Sequence, residues 1–255
     1  MTGDSMNFEE WSEAGEVQSS PKENAAQPLK FRPVRRPPIA SLYIFDDGQE
    51  SGETVRVRTS EITIGKNADI SIPHDDGISD AHVTIRRRET GTGYVWLIKD
   101  HERTTGLFVR MRKATLNDGT MFLAGSDYYL YSQCVDTPNG KSDVANRLAA
   151  GSIPGPSVFD SDIAYPSIKR FSDSKKIWLI DGEYWIGRDS ANALSSPHDP
   201  FLGARHVLVN KPTSRWMASS FGITNGFWVK LRQLNVTNSC TFQIGEQRFR
   251  LTVGV

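Results

Sequence analysis

I-G-K-N-A-D-I-S-I-P-H-D-D-G-I-S-D-A-H, from Ile64 to His82, decides how the rest of the chain is read. It leaves a strand at Gly65, makes a polar loop, re-enters a short apolar segment, loops again and ends on a histidine that opens the next strand. A second version, I-G-R-D-S-A-N-A-L-S-S-P-H-D-P-F-L-G-A-R-H, runs from Ile186 to His206. Two polar loops held by strand pairs, present twice, describe a binding surface that was copied and then drifted.

Around both stretches the chain alternates apolar and polar residues with a period of two. S-L-Y-I-F-D from Ser41, E-T-V-R-V-R, E-I-T-I-G, H-V-T-I-R-R-R, Y-V-W-L-I-K-D, G-L-F-V-R, T-M-F-L-A-G and Y-Y-L-Y-S read as half-buried strands. D-D-G, G-T-G, N-D-G and G-S-D punctuate them, and helical periodicity is nearly absent. Many short strands at this spacing predict an all-β chain of sandwich or barrel type. Strands resume at I-W-L-I-D from Ile177 and continue to Val253.

The second strand-rich region repeats the first. Gly65 pairs with Gly187, and Pro73 and His82 pair with Pro197 and His206. Trp96, Gly106, Val109 and Gly125 pair with Trp216, Gly226, Val229 and Gly245. Length differences fall in loops while the strands keep step, as duplicated sandwiches require. The expected organisation is a disordered tail over 1–38, a first sandwich over 39–136, a linker over 137–165 and a second sandwich over 166–255.

The tail is rich in Glu, Ser, Asn and Gln over residues 1–30, with Phe8 and Trp11 as the only candidates for a short partner motif. F-R-P-V-R-R-P-P (31–38) reads as a stiff lead-in to the first strand. In the linker, S-D-V-A-N-R-L-A-A-G (142–151) has a cap, an alanine-rich middle and a glycine stop, which fit a short helix.

Composition narrows the function classes. The 255 residues are 38% hydrophobic and 24% charged, with no apolar run near the roughly 18 residues needed to span a bilayer. The N-terminus is acidic and polar, unlike a secretory signal. Cys134 and Cys240 fit no metal spacing and read as free thiols in a reducing compartment, which places the chain in the cytoplasm. The net charge of zero hides an asymmetry. Residues 39–136 carry 11 Lys and Arg against 15 Asp and Glu, net −4, while residues 166–255 carry 12 against 6, net +6. The second half should tolerate an anion better, and the acidic first half argues against nucleic acid. No paired acid and base, activated nucleophile or phosphate-cradling glycine loop marks an enzyme, and no metal or cofactor is expected.

Four short motifs recur in order in each half. The first reads Gly65-Lys66, Ser79-Asp80-Ala81-His82, Thr104-Thr105-Gly106 and Leu123-Ala124-Gly125. The second reads Gly187-Arg188, Gly203-Ala204-Arg205-His206, Thr224-Asn225-Gly226 and Gln243-Ile244-Gly245. Over about 190 residues this order resembles the forkhead-associated (FHA) family. The resemblance implies two tandem FHA-like β-sandwiches whose end loops bind a phosphothreonine peptide. It implies that positions 66 and 188, with Ser79, contact the phosphate, and that positions 105 and 225 bond the peptide backbone. His82 and His206 would buttress the loops together with Gly65, Gly187, Gly106 and Gly226.

A phosphothreonine carries roughly −1.5 to −2 charge and three strong acceptor oxygens, which a guanidinium can meet with two parallel bonds. Neither half keeps the full set. Lys66 retains charge without the fork, Thr105 lacks the paired amide, and Asp75, Asp76 and Asp80 oppose an anion. The second half keeps Arg188 and Asn225, but Gly203 lacks the hydroxyl of Ser79. The expectation is a non-enzymatic phosphothreonine adaptor working mainly through its second half. The alternative is a degenerate scaffold that binds partners independently of phosphorylation. His74 and His198, each in P-H-D, read as loop-shaping residues, Trp96 and Trp216 as core, and Arg86–Arg88 as a solvated strand end.

Overall fold

The computed structural model describes residues 37–46, 51–102, 105–133, 165–220 and 225–254. The expected tail up to residue 36, nearly all of the linker 137–165 with its helix, and Cys134, Thr104 and Thr224 lie outside the described residues.

The described residues form twenty strands and no helix, so the all-β expectation holds. The first ten are β1 (Ala40–Phe45), β2 (Gly52–Val57), β3 (Glu61–Gly65), β4 (Ile70–Ser71), β5 (Val83–Thr90), β6 (Gly93–Asp100), β7 (Leu107–Met111), β8 (Lys113–Thr115), β9 (Met121–Ala124) and β10 (Asp127–Ser132). Their counterparts are β11 (Ser167–Arg170), β12 (Lys176–Trp178), β13 (Glu183–Gly187), β14 (Leu194–Ser195), β15 (Val207–Asn210), β16 (Met217–Ser219), β17 (Phe227–Leu231), β18 (Gln233–Val236), β19 (Ser239–Ile244) and β20 (Gln247–Val253). The period-two pattern is realised directly. Along β1, Ala40, Leu42 and Ile44 face the core while Ser41, Tyr43 and Phe45 face outward.

The strands build one ten-stranded sheet, ordered β12-β11-β10-β9-β17-β7-β19-β20-β1-β2, and two five-stranded sheets, β18-β6-β5-β3-β4 and β14-β13-β15-β16-β8. One core holds Leu42, Ile64, Val83, Trp96 and Ile98 together with Phe242, Phe249 and Leu251. The other holds Tyr184, Ile186, Val207, Trp216 and Phe227 together with Phe122, Tyr129 and Tyr131. Trp96 and Trp216 are thus core residues, one in each sandwich.

The cores do not follow the expected ranges. The sandwich begun by β1–β7 is completed by β18, β19 and β20 from the end of the chain, and the one begun by β11–β17 takes β8, β9 and β10. The boundaries 39–136 and 166–255 therefore describe the repeat in the sequence, and the two packed units exchange their last three strands. The connections supply a physical reason. Only Arg112 separates β7 from β8, and only Arg232 separates β17 from β18. One residue is too short to reverse a chain, since a hairpin needs a loop of two or more. The strand runs straight on into the neighbouring sandwich, the usual result of a hinge too short to fold back.

The repeat makes the exchange symmetric. β7 and β17 pair antiparallel, with Val109 opposite Val229, its own counterpart. Phe242 on β19 lies opposite Val109, and Phe122 on β9 opposite Val229. Met111 and Leu231, at the two crossing points, pack against both cores.

Candidate functional site

Each loop cluster is built on a glycine at a strand end. After β3 the chain turns through Lys66–Asp69 and returns as β4, which pairs parallel with β3. The next loop then crosses over Gly65. The Lys66 N–H donates to the Ser79 carbonyl at 2.9 Å, and the Arg188 N–H donates to the Gly203 carbonyl at 2.9 Å. A Cβ at Gly65 would stand 2.1 Å from the Asp80 oxygen, and one at Gly187 would stand 2.4 Å from the Ala204 oxygen. Backbone approaches this close admit no side chain.

The histidines fasten the other end of the crossing. His82 and His206 are fully buried, and each Nδ1 accepts a backbone N–H, from Ser79 at 3.2 Å and from Gly203 at 3.0 Å. An accepting Nδ1 leaves the proton on Nε2. His206 Nε2 donates it to the Gly226 carbonyl at 2.7 Å. His82 Nε2 has no partner at bonding distance, with Asp100 Oδ1 at 3.9 Å. Burial lowers both imidazole pKa values, so both rings are held neutral. Gly106 and Gly226 stand at the opposing turns with φ of 79° and 77°. No group of three or more His, Cys, Asp or Glu positioned for a metal occurs among the described residues.

The polar residues then diverge. Lys66 Nζ is paired with Asp76 Oδ1 at 3.2 Å, so its charge is spent within its own loop. Arg188 is exposed and makes no ion pair among the described residues. Thr105 Oγ1 donates to the Gly77 carbonyl at 2.7 Å. Asn225 Nδ2 makes the matching bond to the Phe201 carbonyl at 2.9 Å, and its own carbonyl accepts from Trp228 Nε1 at 2.8 Å. A hydroxyl has thus replaced the amide in tying down the loop. Through these bonds Lys66, Ser79 and Thr105 hang on one loop, and Arg188, Gly203 and Asn225 on its counterpart. This is a strand-end glycine, a crossing loop pinned by a histidine, and a glycine turn facing them.

Residues 62–125 match the FHA domain. FHA domains are interaction modules that read phosphothreonine peptides and are not enzymes. The matched span begins in β3 and ends just after β9, so it starts in one sandwich and finishes in the other. No curated protein matches the chain.

The role of one pair of loop residues escaped the sequence reading. In the P-H-D repeats the shaping role falls to the aspartate, while His74 and His198 are exposed. Asp75 Oδ1 accepts the Gly77 N–H at 2.8 Å and its Oδ2 accepts the Glu246 N–H at 2.6 Å. Asp199 Oδ1 accepts the Phe201 N–H at 2.9 Å, and its Oδ2 takes the Ser126 N–H and Oγ at 2.8 and 2.9 Å. Each aspartate therefore clasps the turn of the hairpin received from the other half. The signal was present, because the aspartates recur at the same offset as the histidines beside them. The exchange that gives them a partner was not visible.

Proposed function

We propose that the chain is a non-enzymatic adaptor that recognises phosphothreonine peptides mainly through the loop cluster of its second half. Arg188 supplies the phosphate-facing guanidinium, and Asn225 sits at the peptide-facing turn. The observation that carries this reading is the contrast between the two cations: Arg188 is exposed and makes no ion pair among the described residues, whereas Lys66 is paired with Asp76. Ser79 and Thr105, with Lys66, form the weaker first cluster. Work in the cytoplasm is consistent with Cys240 as a free thiol. The test is titration of matched phosphorylated and unphosphorylated threonine peptides against the full chain. A charge-assisted bond contributes about 1.5–3 kcal/mol, so Arg188→Ala should weaken phosphopeptide binding by about tenfold or more. Equal affinity for the two peptides, or none for either, refutes the reading.

A second reading has its own support. Gly203 removes a hydroxyl from the second cluster and the Lys66–Asp76 pair closes the first, which favours a scaffold that binds partners independently of phosphorylation. Binding of an unphosphorylated partner that survives Arg188→Ala would select it.

A further inference from the structure

We propose that the uncovered face of the ten-stranded sheet docks an extended acidic segment of a partner protein, one rich in Glu and Asp and needing no phosphate. Strand exchange creates this face. Val109 and Val229 are paired across β7 and β17, so their side chains leave the sheet on one side, and each lies in a different core. Both five-stranded sheets therefore pack against that same side. The other side runs unbroken over all ten strands, about 43 Å at the usual strand spacing, and no described strand covers it.

The charge of that side has one sign. The strand registers place seven Lys or Arg side chains on it and no Asp or Glu, on a chain whose 30 basic residues balance 30 acidic ones. Arg56, Lys169, Arg248 and Arg250 are exposed and make no ion pair among the described residues. Lys230 instead turns towards Gly106 and Asp100. The guanidinia are also held in place. Arg248 lies 5.5 Å over the Trp228 ring, and Arg250 lies 5.0 Å over Phe45 and 6.0 Å over Tyr43. A guanidinium laid on a ring keeps its edge donors in solvent, and such an edge pairs with a carboxylate through two parallel bonds. Towards the other end of the sheet, Lys176 Nζ stands 4.0 Å over the Trp178 ring, with Lys169 opposite it in the register.

Other polyanions fit this face less well. Single-stranded nucleic acid stacks its bases on open rings, but four of the six rings here carry the chain's own cations, and a fifth, Phe108, lies against Tyr128. A bilayer is flat, whereas neighbouring strands rotate by about 20–25°, so it would meet only a few strands at once. An extended peptide can follow the twist. This assignment stands apart from phosphate recognition at Arg188, and either can fail without the other.

The experiment is fluorescence anisotropy of the full chain with a labelled peptide of alternating Glu and Ser, beside its Gln-and-Ser counterpart and a thymidine strand of the same length. The acidic peptide should bind with a dissociation constant on the order of 100 μM at low salt and weaken as salt rises. The Gln peptide should not bind. Arg248→Gln combined with Arg250→Gln should weaken the acidic peptide about tenfold, at about threefold for each exposed ion pair. Removing the same charge elsewhere, by Arg88→Gln with Lys211→Gln, should change its affinity less than about twofold, and Arg188→Ala should leave it unchanged. Equal binding of the two peptides, or equal losses from the two charge-matched double variants, overturns the proposal. So does tighter binding of the thymidine strand, which would make nucleic acid the occupant. A dimer that Arg248→Gln with Arg250→Gln dissociates would make the occupant a second copy of the chain and overturn it too.

Discussion

A double-mutant cycle between Phe122 and Phe227 tests the strand exchange directly. Phe122 lies on β9 and Phe227 on β17, both fully buried, with ring centroids 5.4 Å apart in an edge-to-face arrangement. Were β9 to pack with its own half, its neighbour would be Leu107, the counterpart of Phe227, which here belongs to the other core. Phe→Leu keeps an apolar side chain at each position and costs about 1–1.5 kcal/mol singly, so the double variant stays folded. Removing both rings should reveal a coupling of about 0.5–1.5 kcal/mol, the value of such an aromatic pair beyond its buried area. The cycle of Phe122→Leu with Leu107→Val should be additive within about 0.5 kcal/mol, as expected for residues in separate cores. Denaturant unfolding of the full chain gives the energies. Hydrogen exchange locates the effect, and Phe122→Leu should loosen β13 and β15 while sparing β3 and β5. Coupling of Phe122 with Leu107 and none with Phe227 would refute the exchanged architecture.

Three further outcomes follow from the site. Asp76→Asn releases Lys66 from its partner and removes a repelling charge, so phosphopeptide affinity at the first cluster should rise about threefold, read by titration of Arg188→Ala protein. A loss of affinity would mean that the pair organises the loop. His82 and His206 are held neutral below their ordinary pKa of 6.5, so below about pH 6.5 the unfolded chain binds more protons than the folded one. Stability should be full above that pH and fall as the pH drops towards 5; denaturant midpoints across this range should flatten in His206→Gln, and an unchanged slope counts against the burial account. Burial pushes the Cys240 thiol up to about 12, so its peptide should stay almost unlabelled by iodoacetamide at pH 8, where a free thiol near pKa 8.5 reacts readily. Mass spectrometry of that peptide gives the answer.

The strands were legible because a period of two is a local property. Leu42 and Ile44 announce their buried face without reference to what covers it. What covers it was not legible. β10 and β20 offer the same alternation, so the pattern permits either hairpin against either half. A faint clue lies at the crossing, where Gly106 is followed by no turn residue until Asn117: an unbroken run predicts a chain that does not fold back. The site was legible in its glycines and histidines, whose roles follow from sterics and burial over short separations. It was less so in its electrostatics. Asp76 reads as a general repulsive charge in the sequence, and the structure makes it the specific partner of Lys66. Asp75 reads as one more repulsive charge and Asp199 was passed over, because their partners at Glu246 and Ser126 lie far along the chain.

The pairing of β1 with β20 carries a consequence for how the protein is made. Leu42 lies opposite Leu251, so the first residues of the first sandwich wait for the last. Paired with β10, they would have waited for fewer than half as many residues. At about 5–20 residues per second, synthesis leaves the Ala40–Phe45 edge without its partner for roughly 10–40 s. The second sandwich has all its strands once residue 231 has been made. Assembly should therefore run out of sequence order, with the middle of the chain settling first and its two ends closing last. During that interval the apolar face of β1 is open to mispairing.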